Sequence, residues 1–322
     1  MFSFVQNRFR FYTVAVVFIV FALLSPWILP RGINLGIDMT GGIQIEYSVE
    51  KGNVDEAEKL ASRLANSLIG TGTSLINGIN VYGIAGTDSF IVEAGFSHPE
   101  GTTDAIVGAA KSEFTKHLTE KLTSDTTMTI SESRYVNVGE SFGAYIKKSG
   151  MLTLAFAIIA ISLYIQYAFR GSIAGMKSWP FAVVTGASLI HDVVIAFGLY
   201  VATSYFFPQF KIDTFFLTAM LTILGYSIND TIVVMDRIRS NLASGIGKKM
   251  GLSHIIDKAI HETLRRSLLT SSTVFIVLLA LFFFGPESLK GFSLALLFGT
   301  VVGTYSSICI ASPLLIDITK KD

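Results

Sequence analysis

The chain has 322 residues, 51% of them hydrophobic and 15% charged, with a net charge of +1. Soluble domains carry about a quarter charged residues, so this composition and a mean hydropathy of +0.56 exclude an ordinary water-soluble protein and predict a membrane protein. The net charge says nothing about nucleic acid, which is not among the expected partners, and one cysteine, Cys309 in an apolar run, excludes a disulfide framework.

Arg8 and Arg10 precede the first apolar run, residues 11–29. It is longer than a signal-peptide core and lacks an A-x-A site, so it predicts a retained span closed by Pro26 and Pro30. Residues 31–145 lose the apolar character and hold 8 Lys and Arg against 15 Asp and Glu. Ile43, Ile45, Tyr47 and Val49 alternate with polar residues, the pattern of a half-buried strand. Asn53 with Glu56 predicts a helix start, and Ala57, Leu60, Leu64 and Leu68 form the stripe behind it. Strands over 76–84 and 89–93 flank a turn at 85–88. Ile106, Ala110, Phe114, Leu118 and Leu122 mark a second helix, and a last strand covers 127–138. The order β-α-β-β-α-β predicts a small α+β ferredoxin-like domain. It has no nucleophile–base signature, and His98 and His117 lack companion ligands. Enzyme chemistry, a metal and a cofactor are therefore not expected.

Further apolar runs lie at about 150–168, 180–202, 212–235, 267–285 and 291–313. With the first they make six predicted transmembrane helices. The expected organisation is 1–30 (cytoplasmic N-terminus and first span), 31–145 (the ferredoxin-like domain) and 146–322 (a five-helix bundle). Arg8, Arg10, Arg170, Lys177, Arg237, Arg239, Lys248, Lys249, Arg265 and Arg266 crowd one side, with Lys147 and Lys148 breaking the pattern. That bias predicts cytoplasmic termini and an extracytoplasmic domain 31–145.

The fourth span carries more polarity than an anchor needs. On an ideal helix Thr214, Thr218, Thr222, Gly225, Asn229 and Asp236 fall in one stripe, expected to face other helices or a water-filled path. Asp213 lies at the outer end, off that stripe, and Asp230 near the inner end, with an interfacial position the alternative. His191 and Asp192 sit midway along the third span, a functional pair or a buried structural hydrogen bond. Gly299, Gly303, Ser307 and Ala311 recur every fourth residue of the last span, which permits close contact with another helix. No nucleotide-binding loop is present, so an ion gradient is the expected energy source.

The run 225–234 with Asp236-Arg237-Ile238-Arg239 after it resembles the signature of the SecF protein-export family. Gly36-Ile37-Asp38-Met39-Thr40-Gly41-Gly42 is similar to that family's segment after the first span, with Met39 where an aromatic is usual. His191-Asp192-Val193, residues 266–271 and the Gly299/Gly303 column also fit. The resemblance implies half of a resistance-nodulation-division type exporter in the bacterial cytoplasmic (inner) membrane. SecD would be the other half, and the SecYEG channel, an unfolded secretory polypeptide and membrane lipid the remaining partners. It implies that a proton or sodium gradient promotes late translocation, with Asp213 as the coupling carboxylate and Arg266 as its basic partner. His191, Asp192, Asn229 and Asp230 are further coupling candidates, and the small-residue face of the last span the expected SecD contact. Gly36, Asp38, Thr40, Gly41 and Gly42 read as a structural join; Gly225, Asp236, Arg237, Gly299 and Gly303 as structural motif residues. An exporter of small apolar molecules or lipids, and a non-transporting assembly factor of the channel, are the alternatives.

Overall fold

The computed structural model describes residues 2–29, 33–69, 75–84, 86–96, 102–124, 128–170, 176–244 and 251–319. Pro30, Ala85, His98, Thr127, Lys248 and Lys249 lie outside them. Contacts divide the chain into two units, Leu35–Ser149 and a second made of Met1–Asn34 with Gly150–Asp322.

In the first unit β1 (Gly42–Lys51), β2 (Ile76–Gly83), β3 (Ser89–Phe96) and β4 (Thr129–Val138) form one antiparallel sheet ordered β2-β3-β1-β4. Two helices, α3 (Val54–Ile69) and α4 (Asp104–Ser124), complete the β-α-β-β-α-β order expected from the pattern. Ile43, Ile45, Tyr47 and Val49 are buried on one face of β1, as their alternation requires. The helix seams are shifted by a residue. Ala57, Ala61 and Ala65 are buried in α3 while Leu60 and Leu64 are only partly so, because alanine lets a helix approach a sheet closely. In α4 Val107 is buried and Ile106 is exposed.

The chain enters β1 through a short helix, α2 (Ile37–Thr40). The Gly36 carbonyl accepts from the Met39 amide (3.0 Å), the Thr40 amide (3.2 Å) and Thr40 Oγ1 (3.2 Å). Asp38 stands half-buried in that turn. Gly41 has φ +75°, and a Cβ on it would lie 2.7 Å from Glu140 Cα. A Cβ on Gly143 would lie 2.7 Å from the Met39 carbonyl oxygen. The motif is therefore a backbone-to-backbone lock between α2 and the start of α5 (Glu140–Ala168), which side chains would pry apart.

The second unit holds α1 (Arg8–Ile28), α6 (Trp179–Phe206), α7 (Thr214–Ala243), α8 (Leu252–Phe284) and α9 (Glu287–Ser306). A π-helical turn, Ser307–Ala311, continues α9 into α10 (Ser312–Thr319). Six helices among the described residues are long and apolar enough to cross a membrane: α1, α5, α6, α7, α8 and the α9–α10 run. The third, fourth and sixth of these bury half or more of their apolar stretch; the others bury less than a fifth. The apolar rule of a soluble core is thus supplemented by an apolar exterior, as lipid requires. Pro26 sits inside α1 rather than ending it. Pro313 explains the π turn: its ring displaces the usual fourth-residue bond, and Ser312 Oγ donates to the Ser307 carbonyl (2.7 Å).

Candidate functional site

Two polar nodes lie inside the helical unit, one turn apart along α7. The first is centred on Asp192, which has no exposed surface. His191 Nδ1 is 2.9 Å from its Oδ1; Ser227 Oγ on α7 donates to Oδ2, as does Ser306 Oγ on α9 (2.9 Å). Ser188 Oγ in turn donates to Ser306 Oγ (3.2 Å). Two serine hydroxyls donate to this carboxylate and an imidazole nitrogen faces it, an arrangement in which an ionised group is tolerated in an apolar interior.

Glycine makes this node possible. A Cβ on Gly303 would lie 3.0 Å from Ser227 Cβ, and one on Gly299 would overlap Ile223. Gly299 and Gly303 therefore bring α9 onto α7 of the same chain, with Ser307 and Ala311 also buried. The expectation that this small-residue face meets a partner is corrected: its close approach is spent internally.

The second node is Asp230, 4% exposed, whose Oδ2 accepts from Ser271 Oγ of α8 (3.2 Å). Thr304 Oγ1 of α9 donates to the same Ser271 oxygen (2.6 Å). Arg266, exposed on α8, lies within electrostatic reach of Asp230. An interfacial, solvated Asp230 does not describe this carboxylate.

Asp213 is elsewhere. It caps α7, accepting the Phe216 amide on Oδ1 (2.8 Å). Nearby Lys211 is buried, and burial pushes its ammonium down to about 7, with the Asp213 carboxylate acting in the opposite sense. The contacts Asp230–Ser271, Arg237–Glu262 (2.6 Å) and Asn241–Glu262 (2.9 Å) fix α7 and α8 as antiparallel neighbours. In that register Asp213 and Arg266 are separated by about 33 Å of helix rise. The structure does not bring these two together.

The stripe of Thr214, Thr218, Thr222, Gly225, Asn229 and Asp236 is exposed along its length, opposite the buried Ser227, Asp230 and Thr231. Its threonines satisfy themselves, Thr218 Oγ1 on the Thr214 carbonyl (2.9 Å) and Thr222 Oγ1 on the Thr218 carbonyl (2.8 Å). Sequence reasoning found the stripe but missed Ser227, Ser271, Thr304 and Ser306. Only the register of the helices distinguishes them from the other serines and threonines of these spans. His117 is exposed, and no cluster of metal-ligating side chains occurs among the described residues.

Residues 118–321 match the family "Protein export membrane protein SecD/SecF, C-terminal", and residues 27–52 match the "SecD/SecF GG Motif". A protein translocase subunit SecF from Desulfurispirillum indicum is 36% identical over 311 residues, covering 96% of this chain and 90% of that protein. One from Rhodothermus marinus is 32% identical over 321 residues, 99% of this chain and 94% of the relative. A solved structure of SecDF from Thermus thermophilus, described as a translocon-associated membrane protein, superposes with a TM-score of 0.71 at 25% identity. That match covers 99% of this chain but only 39% of the solved one, so the chain spans well under half of the SecDF length.

Proposed function

Starting from the fact that the chain belongs to the SecD/SecF family of protein-export membrane proteins, we propose that it acts as the SecF half of a SecD–SecF pair. In this reading it works beside the SecYEG channel in the bacterial inner membrane and uses a proton or sodium gradient to draw secreted chains outward late in translocation. One observation carries the coupling: a buried carboxylate, Asp230, has an exposed guanidinium, Arg266, within electrostatic reach. A charge in the apolar layer is tolerated where a path or partner meets it. One elementary charge crossing about 100 mV is worth about 2.3 kcal/mol, enough to bias a helix packing equilibrium.

The stripe from Thr218 to Asn229 is our candidate SecD contact, because it is small, polar and uncovered in this chain. The 39% coverage of the solved SecDF chain supports a missing second half. The sheet unit Leu35–Ser149 is read as the ferredoxin-like extracytoplasmic domain, on its element order and on the Lys and Arg bias of the other loops. Both termini are then cytoplasmic. Asp213, an N-cap some distance from any basic partner on α8, ranks below Asp230 for coupling.

Inverted vesicles carrying the chain, its SecD partner and the channel test this. Completion of translocation is followed after ATP is exhausted, with and without an ion gradient. A gradient-dependent rise that disappears when the chain is omitted is expected; no dependence on the chain contradicts the proposal.

A further inference from the structure

The structure holds a buried atom that the proposed coupling does not use. His191 is 6% exposed, and its Nε2 has no hydrogen-bond partner among the described residues. Buried polar atoms are nearly always paired, so a bare one is a place to look for function.

We infer that His191 and Asp192 form a proton-binding site of their own, in which the proton is taken up at His191 Nε2. The inference deepens the reading of α6, α7 and α9 as lipid-embedded helices of an ion-coupled protein. It follows from counting bonds. Asp192 Oδ1 faces His191 Nδ1, and Oδ2 receives the hydroxyls of Ser227 and Ser306. An ionised carboxylate only accepts, so Nδ1 carries the ring hydrogen and Nε2 is the free nitrogen. With a neutral ring the node holds one net negative charge in an apolar surrounding. A proton on Nε2 converts it to a hydrogen-bonded ion pair of zero net charge, and none of the three bonds to Asp192 is broken. An uncompensated buried charge is much costlier than such a pair. The two nodes thereby differ in kind: a proton at Asp230 lands on the carboxylate itself, whereas here it lands on the far side of the ring.

The groups around α6 leave His191 to this role. On α1 and α10, Tyr12 and Arg8 are engaged with Asp317. On α7 Asp230 is bound to Ser271, and on α9 the Tyr305 hydroxyl donates to the Phe11 carbonyl. Tyr226 on α7 and the buried Cys309 thiol of the π turn form no hydrogen bond with His191 or Asp192.

The test uses the full chain in lipid nanodiscs, with nitrogen-15 in the histidine rings. His98, His117, His254 and His261 are replaced by Gln, leaving His191 alone. Should those replacements unfold the chain, the wild-type spectrum minus that of His191→Gln reads the same two nitrogens. With the ring neutral the expected state is Nδ1 protonated and Nε2 bare. Acidification adds a proton at Nε2 while Nδ1 keeps its own, and Asp192→Asn abolishes the preference for the Nδ1–H form. A bare Nδ1 in the neutral ring overturns the proposal. So does an Nε2 that takes no proton at any pH where the chain stays folded. Because translocation is not read, an intact titration beside an absent gradient response sinks the coupling reading alone; the reverse sinks this site alone.

Discussion

Asp192, on α6, faces α7 and Asp230 lies on α7, yet the two are held in opposite ways. Asp192 is enclosed by α6, α7 and α9 and saturated by three donors. Asp230 accepts the Ser271 hydroxyl on Oδ2, with Ser267 and an exposed arginine, Arg266, also in reach. A saturated carboxylate is a packing centre whose loss is felt as stability. A carboxylate with fewer fixed donors and an exposed guanidinium in reach is free to change its charge and its neighbours. The difference teaches that depth in the membrane is not enough to assign coupling; the number of fixed donors and the access decide.

The comparison is broken most thoroughly at the glycine column. Gly303→Leu drives a side chain into Ser227 and parts α9 from α7, so both nodes are lost together. Overpacking of this kind costs about 1–3 kcal/mol on top of the node bonds that are lost with it, so the fall in the thermal midpoint in detergent should exceed that of any single carboxylate variant. Asp192→Leu comes next. It strands His191 and two serines, and breaking a buried pair costs about 3–5 kcal/mol before relaxation, whereas Asp230→Leu should cost markedly less in the same assay.

A third prediction uses pH at the N-terminal end of α7. Lys211 in the folded chain titrates at about 7 against an ordinary 10.5. Between those values the unfolded chain binds the proton and the folded chain does not, so stability from this residue rises with pH from about 7 to about 10.5. Below that window its burial cost is constant. Lys211→Met should remove the rise, seen as a flat pH profile of the thermal midpoint relative to wild type. The smallest effect belongs to Arg237→Ala. Its pair with Glu262 joins α7 to α8 at a solvated end, and exposed pairs contribute little. A change within measurement error is expected, with both nodes intact.

Much of this was legible in the chain. Strand β1 announced itself because one face of the sheet is buried and a period of two cannot be mistaken. The α3 seam was misread because Ala61 and Ala65 are weak hydrophobic signals although they pack closest. The depth of His191 and Asp192 was readable from span length alone. Their partners Ser227 and Ser306 were not, since serine recurs through these spans and only the helix register selects two of them. Register also undid the pairing of Asp213 with Arg266: two helices can each be placed in a membrane while their relative slide stays unknown. The polar stripe of α7 was found by periodicity, but its outward direction depends on which face Gly299 and Gly303 occupy. The π turn follows from Pro313, a residue whose effect on a span is local and easily passed over.

The most direct measurement compares Asp230→Asn with Asp213→Asn in inverted vesicles that contain SecD and the channel, after equal assembly of both variants is confirmed. Translocation is followed to completion after ATP is exhausted, with and without an ion gradient. Loss of the gradient response in Asp230→Asn, with the response retained in Asp213→Asn, is the predicted result. A response that survives in Asp230→Asn and vanishes in Asp213→Asn contradicts the account and returns the coupling role to the helix cap.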